Sequence, residues 1–202
     1  MNFQIDDKTM IETPSKEPMS AIEALQTRSS SPRLTEPGPS PQSLTYICKS
    51  ALRAADHGAI RPWRFLIVEA DSREKLGELF LKASLMKTPD LEPLQKEKIK
   101  TKALRAPTII VAIANPQDHP KVPIIEQEYS AAAAVQNMSL AAFALGIGSV
   151  WRTGTFAYDA IVHQGLHLNK NEKIIGFLYV GTRSGTTKPL VELNPADYFK
   201  AW

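Results

Sequence analysis

Three short stretches carry residue types that could do chemistry together: Arg28-Ser29-Ser30, Arg53 with His57, and Trp151-Arg152-Thr153. Guanidinium forks and hydroxyl donors are what a phosphate requires. Apolar or aromatic walls with a few donors are what a flat heterocycle requires. Taken together, the three fit a phosphorylated planar cofactor. Taken singly, each also has a plain structural reading: a solvated turn, a helix end whose basic residues suit the dipole, and a surface loop. The middle stretch runs on through Gly58 to Arg61-Pro62-Trp63, so cations and a large aromatic meet where a helix pattern gives way to the apolar run Phe65-Leu66-Ile67-Val68. Trp63 serves equally well there as a core anchor.

Other chemistries find less support. His163 and His167 are four apart, as two ligands on a helix would be, but Gly165 weakens that helix and no HExxH glutamate accompanies them, so no metal site is expected. There is no GxSxG elbow for a serine hydrolase. Gly146-Ile-Gly148 follows a helix pattern, whereas a dinucleotide fingerprint follows a strand and opens a helix. The net charge of +3 is small and dispersed, and the densest basic stretch, Lys96 to Lys102, reads with Leu91, Leu94 and Ile99 as a solvated amphipathic helix. Nucleic acid is therefore not an expected partner. A single cysteine, Cys48, excludes an internal disulfide framework and points to a reducing, cytoplasmic setting, with the thiol buried and unreactive. No window reaches the roughly 18 apolar residues of a membrane span.

The elements that must position these groups follow from periodicity. At 202 residues one domain is expected, residues 19–202, after a flexible polar tail over residues 1–18. Ser20-Ala-Ile-Glu23 opens a short helix with a capping-box pattern, and a Pro-rich loop through Pro37, Pro39 and Pro41 follows it. A second helix starts at Ser40 or Pro41, with Leu44, Ile47, Cys48, Ala51, Leu52 and Ala55 on its apolar stripe and Arg53 on the opposite side. Phe65 to Glu69 reads as a strand, Asp71 or Ser72 begins a helix with Leu76, Leu79 and Phe80 inward, and residues 87–106 form a helical excursion. Thr108 to Ala114 does not alternate and so should be a strand covered on both faces. The longest helix, about Pro123 to Leu145, is rich in alanine and suits close packing in a core or across a dimer. Ser149 to Gly154 should be a short strand ending in a loop, with a small helix near 158–166 and a strand over Ile174 to Val180 after it. Tyr198, Phe199 and Trp202 should dock on the body or on a second subunit. Strands and helices mix without a strict βαβ rhythm, which indicates α+β.

In order and spacing, TRSSSPRLTEP (27–37), RAADHGAIRPWRFLIVE (53–69), RAPTIIVAIA (105–114), HPKVPIIEQEYSAAAAVQNM (119–138), LAAFALGIGSVWRTG (140–154) and KIIGFLYVGT (173–182) resemble the nitroreductase family of FMN-dependent flavoproteins. The likeness is to its small single-domain branch. The resemblance implies an α+β nitroreductase-like fold, a central, mostly antiparallel sheet flanked by helices, and an intertwined homodimer with FMN at the subunit interface. It implies that Arg28, Ser29 and Ser30 bind FMN at its phosphate and ribityl end from the neighbouring subunit, that Arg53 and His57 contact the flavin, and that Trp151, Arg152 and Thr153 close the site. It assigns Ala141, Ala142, Phe143, Ala144, Leu145 and Gly146 to NAD(P)H. Arg61 stands where the family commonly has glutamine; facing the flavin, it would favour the anionic reduced form. A basic residue near the C-terminus, Arg183 or Lys188, would meet the phosphate. The implied activity is hydride transfer from NAD(P)H to nitroaromatics, quinones or similar flat acceptors by a ping-pong cycle, with enone reduction or non-catalytic FMN storage as alternatives.

Overall fold

The computed structural model describes residues 19–186 and 189–202. The expected tail over residues 1–18 and the candidate Lys188 lie outside the described residues.

Among the described residues, six α-helices and five strands follow in the order α1 (Ala21–Thr27), β1 (Leu34–Thr35), α2 (Pro41–Ala51), β2 (Trp63–Glu69), α3 (Asp71–Lys87), α4 (Pro93–Lys100), β3 (Thr108–Ala114), α5 (Ile124–Ala144), β4 (Gly148–Arg152), α6 (Ala160–Gly165) and β5 (Lys173–Arg183). Ser20 caps α1 with one half of the expected capping box, and Ser40, one of the two expected starts of α2, caps that helix. Ser20 Oγ accepts from Glu23 N and Ser40 Oγ from Ser43 N, each at 3.2 Å, which satisfies a backbone donor that the first turn leaves free.

Every strand pairing is antiparallel. β3 lies between β2 and β5, and β4 and β1 both pair with β5. All seven residues of β3 are buried, as a strand covered on both faces must be. Ile109, Val111 and Ile113 face α3 and α6 with Phe80, Val162 and Phe177, while Ile110 and Ala112 face α2 and α5 with Ile47, Ala134 and Met138. The sheet is thus the middle layer of an α+β sandwich.

Three expectations need correction. α2 stops at Ala51, so Leu52 is 58% exposed and Ala55 is exposed; Arg53 N and Ala54 N bond three residues back to Ser50 O and Ala51 O, and this tighter turn swings the apolar stripe away from the core. The Pro-rich loop contains the two-residue strand β1, whose Leu34 is buried opposite Arg183. Leu94 is exposed, and Ile99 alone of that helix packs on the α3 side of the core. Of the two places expected for Tyr198, Phe199 and Trp202, docking on the body is not seen, since all three are exposed, which leaves a second subunit.

Cys48 is half-buried, and burial first, then the Glu69 charge, pushes its thiol pKa up, which keeps it protonated. No helix among the described residues is long and apolar enough to cross a membrane.

Candidate functional site

β4 brings two of the three stretches together. Ser31 N donates to Ser149 O at 2.8 Å, tying the segment after α1 to this strand. Successive side chains of a strand point to opposite faces. Trp151 therefore joins the α2/α5 core, where its Nε1 donates to Ile175 O at 3.3 Å, while Arg152 points to the α3/α6 side. There its guanidinium lies 5.8 Å from the Tyr179 ring centroid, and Nη2 donates to Pro32 O at 3.4 Å. Its Nε is buried with no hydrogen-bond partner.

Arg183, at the end of β5, repeats this pattern. Its guanidinium stacks 4.5 Å above the Phe143 ring, its Nε is also buried without a partner, and burial lowers its pKa from the ordinary arginine value. A buried, unsatisfied charged donor is costly unless something else completes its bonding.

Two cavities lie at these arginines, linked by the Arg152 bond to Pro32 O. One, of about 220 Å³, is lined by Arg33 and Arg183 with the hydroxyls of Ser30, Ser31 and Ser184. The other, of about 150 Å³, is lined by Lys102, Arg105 and Arg152 with Thr153 and the rings of Phe156 and Tyr179. No carboxylate lines either one. Lys102 sits 4.9 Å over the Phe156 ring, and burial, then the charges of Arg105 and Lys98, lower its pKa. Asp159 fixes the loop that leads away from β4: it caps α6 through Ile161 N and Val162 N and pairs with Lys87 on α3. One cavity offers hydroxyls and guanidinium groups; the other offers cations beside flat aromatic walls.

The remaining stretch lies elsewhere. His57 Nδ1 is 2.7 Å from Glu126 Oε2 in the first turn of α5, and Arg53 follows α2 on the exposed side. Gly58, Ala59 and Arg61 all have positive φ (76°, 53° and 55°), with Asp56 Oδ2 accepting from Arg61 N at 2.6 Å to hold the turn. The Arg61 residue is exposed, while Trp63 is half-buried in the α2/α5 core, as an anchor would be. Ser149 follows the opposite end of α5, whose 21 residues span roughly 31 Å. A single chain therefore does not bring Arg28-Ser29-Ser30 and His57 together.

Of the segment 141–146, Ala142 and Phe143 are buried, Ala141, Ala144 and Leu145 are half-buried, and Gly146 is exposed. Gly146 ends α5 at φ 75°, with its N–H bonded to Phe143 O and the next N–H to Ala142 O. A ligand here meets carbonyl oxygens and the negative end of the helix dipole, an environment that disfavours a phosphate except for the Arg183 guanidinium over Phe143.

Lys102, Arg105, Tyr179, Arg33 and Glu126 were not singled out from the sequence as site residues. Lys102 and Arg105 do stand three apart just before the most buried strand, and period-2 alternation puts Phe177 and Tyr179 on one face. Among the described residues no group of His, Cys, Asp and Glu is arranged to hold a metal, and His163 Nε2 instead bonds Ala157 O at 2.8 Å.

An antiparallel sheet between helix layers, with carboxylate-free cationic cavities at one end, defines an α+β protein suited to a flat, anionic ligand. The chain belongs to the nitroreductase family: the profile described as "Nitroreductase family" matches residues 24–182. It is 36% identical over 164 residues to Escherichia coli "Putative NAD(P)H nitroreductase YdjA", covering 81% of this chain and 88% of that one. The solved nitroreductase-like protein from Bacillus cereus superposes with a TM-score of 0.78 at 20% identity, over 92% of this chain and 97% of that one. A nitroreductase with bound FMN from Bacteroides fragilis gives 0.66 at 21% identity, over 91% and 98%. At these identities the two structures show the fold.

Proposed function

We propose that the chain is an NAD(P)H-dependent FMN oxidoreductase that works as a homodimer and reduces flat, electron-poor acceptors such as nitroaromatics and quinones. The observation that carries this reading is a pair of half-buried arginines, Arg152 and Arg183, whose buried Nε atoms lack partners among the described residues, beside cavities whose described lining has no carboxylate. FMN fits them: a phosphate dianion suits the hydroxyl-rich cavity, and an electron-rich reduced ring suits the flat cationic one.

Arg28, Ser29, Ser30, Arg33 and Arg183 hold the phosphate and ribityl end. Lys102, Arg105 and Arg152 set a positive field beside the ring, and Thr153 closes that wall, while Trp151 braces β4 from behind. Arg53 and His57 come from the second copy, since one chain holds them at the other end of α5. Support for that arrangement comes from Ile124, Ile125 and Tyr129, exposed beside His57, and from the exposed Tyr198, Phe199 and Trp202. Ala141 to Gly146 is the NAD(P)H segment, contributing backbone and shape. Arg61 stands at the cleft edge. FMN held there would supply the hydride-transfer chemistry between NAD(P)H and the acceptor, and the protein's part is to orient, shield and tune. The lone, protonated Cys48 accords with a cytoplasmic setting.

The test is a visible spectrum of the purified protein before and after anaerobic NADPH or NADH. Flavin bands that bleach, and return on adding a quinone, support the reductase. Bands that never bleach indicate a storage protein, and a colourless protein that takes up no FMN overturns the reading. Light scattering at two concentrations tests the dimer.

A further inference from the structure

We propose that Glu126 is a positioning residue for His57: its Oε2 accepts the hydrogen bond from Nδ1–H, so that Nε2 is the atom His57 presents, as a hydrogen-bond acceptor, to a hydroxyl or ring N–H of the bound cofactor. The inference rests on the flavin reading above but concerns a residue that neither the sequence motifs nor the family resemblance assigns.

The geometry is specific. The Nδ1 to Oε2 separation of 2.7 Å is that of a charge-assisted hydrogen bond, and it joins residues 69 apart in sequence. With the proton on Nδ1, the Glu126 oxygen is the acceptor of this bond. Which imidazole nitrogen carries the proton is set by the bond the other one makes, so a carboxylate on Nδ1 leaves Nε2 with its lone pair. Nε2 makes no hydrogen bond within the chain among the described residues, and the side chain is 58% exposed.

The turn that carries His57 is built to hold this direction. Three of the four residues Gly58 to Arg61 have positive φ, two of them not glycine, a conformation that persists only where the surroundings impose it. Asp56 clamps Arg61 N, Gln117 Nε2 reaches Ile60 O at 3.4 Å, and Gln127, beside Glu126 on α5, is buried and bonds Gln117 N, Gln117 O and Val122 O. The loop that supports the turn and the helix that supplies Glu126 are thus one connected unit. A solvated surface pair would need none of this.

The experiment combines two readouts, one of them independent of cofactor. In protein labelled with ¹⁵N-histidine and free of FMN, the His57 ring nitrogens should report the Nδ1–H tautomer at neutral pH, and Glu126→Ala should move the proton to Nε2. The FMN dissociation constant, read by flavin fluorescence quenching, should rise about tenfold in Glu126→Ala, the value of one good hydrogen bond. In a His57→Ala background the same Glu126 change should have no further effect. An equal loss in both backgrounds, or an unchanged tautomer, overturns the proposal. Wild-type protein that binds no FMN while the tautomer behaves as stated overturns the flavin reading instead. Circular dichroism of each variant confirms that the exposed position has left the fold intact.

Discussion

Arg64 on β2 and Arg152 on β4 are two arginines of one sheet with opposite surroundings. Arg64 brings its own counterion: Nε and Nη2 donate to the two oxygens of Glu172 at 2.5 and 2.7 Å, Nη2 also reaches His167 O, and the Glu172 side chain is wholly buried. Arg152 makes one long bond, to Pro32 O, and leaves Nε buried and unpaired. Arg183 is like Arg152 in this respect. A cation that serves the fold is satisfied within the fold; a cation kept for a ligand is left partly unsatisfied, at a cost that the ligand offsets.

The largest effect should come from breaking the satisfied pair. Arg64→Leu strands the Glu172 carboxylate in the interior and should destabilise the protein by about 3 kcal/mol in urea titration, with little change in FMN affinity once folded. A small stability loss would erase the distinction. Arg183→Leu should do the reverse. It should weaken FMN binding about tenfold or more while apo-protein stability holds or rises, because an unpaired buried cation has been removed. If Arg183→Leu unfolds the protein, it belongs with Arg64.

The pair also predicts an acid limb. The Arg64 hydrogen bond, opposed by burial and aided by the Asn169 N–H, holds the Glu172 carboxyl below the usual glutamate range. A depressed folded-state pKa contributes stability that is fully present above the ordinary glutamate pKa and is lost as pH falls through the lower folded value. Wild-type unfolding free energy should therefore fall on acidification through that window, and Glu172→Gln should flatten this part of the curve. Smallest of all, Ser20→Ala removes the α1 cap and should cost about 0.5–1 kcal/mol, with any FMN effect confined to the fraying of the segment entering Arg28.

Much of the fold was legible because its signals are local. Thr108 to Ala114 has no polar break, so only a doubly covered strand suits it, and Ser20 and Ser40 announce their helices within three residues. The two residues of β1 carry no periodicity to read, and the end of α2 at Ala51 is set by the turn that follows, in a stretch whose own pattern would continue the helix. The candidate site could be read from the sequence as a list of cations and hydroxyls without Lys102, Arg105 and Tyr179, which line the second cavity only when β3, β4 and β5 lie side by side.

By itself the sequence determined most of the helices and the longer strands, most of the faces they bury, and the family to which the motifs point, since each depends on neighbours a few residues apart. Only the tertiary structure decided that Arg152 meets Pro32 across 120 residues, that His57 meets Glu126, and that His57 and Arg28-Ser29-Ser30 stand at opposite ends of α5. The reason is physical: whether a charge is paired, orphaned or aimed at a ligand depends on which distant groups share its low-dielectric surroundings, and chain spacing carries no record of that.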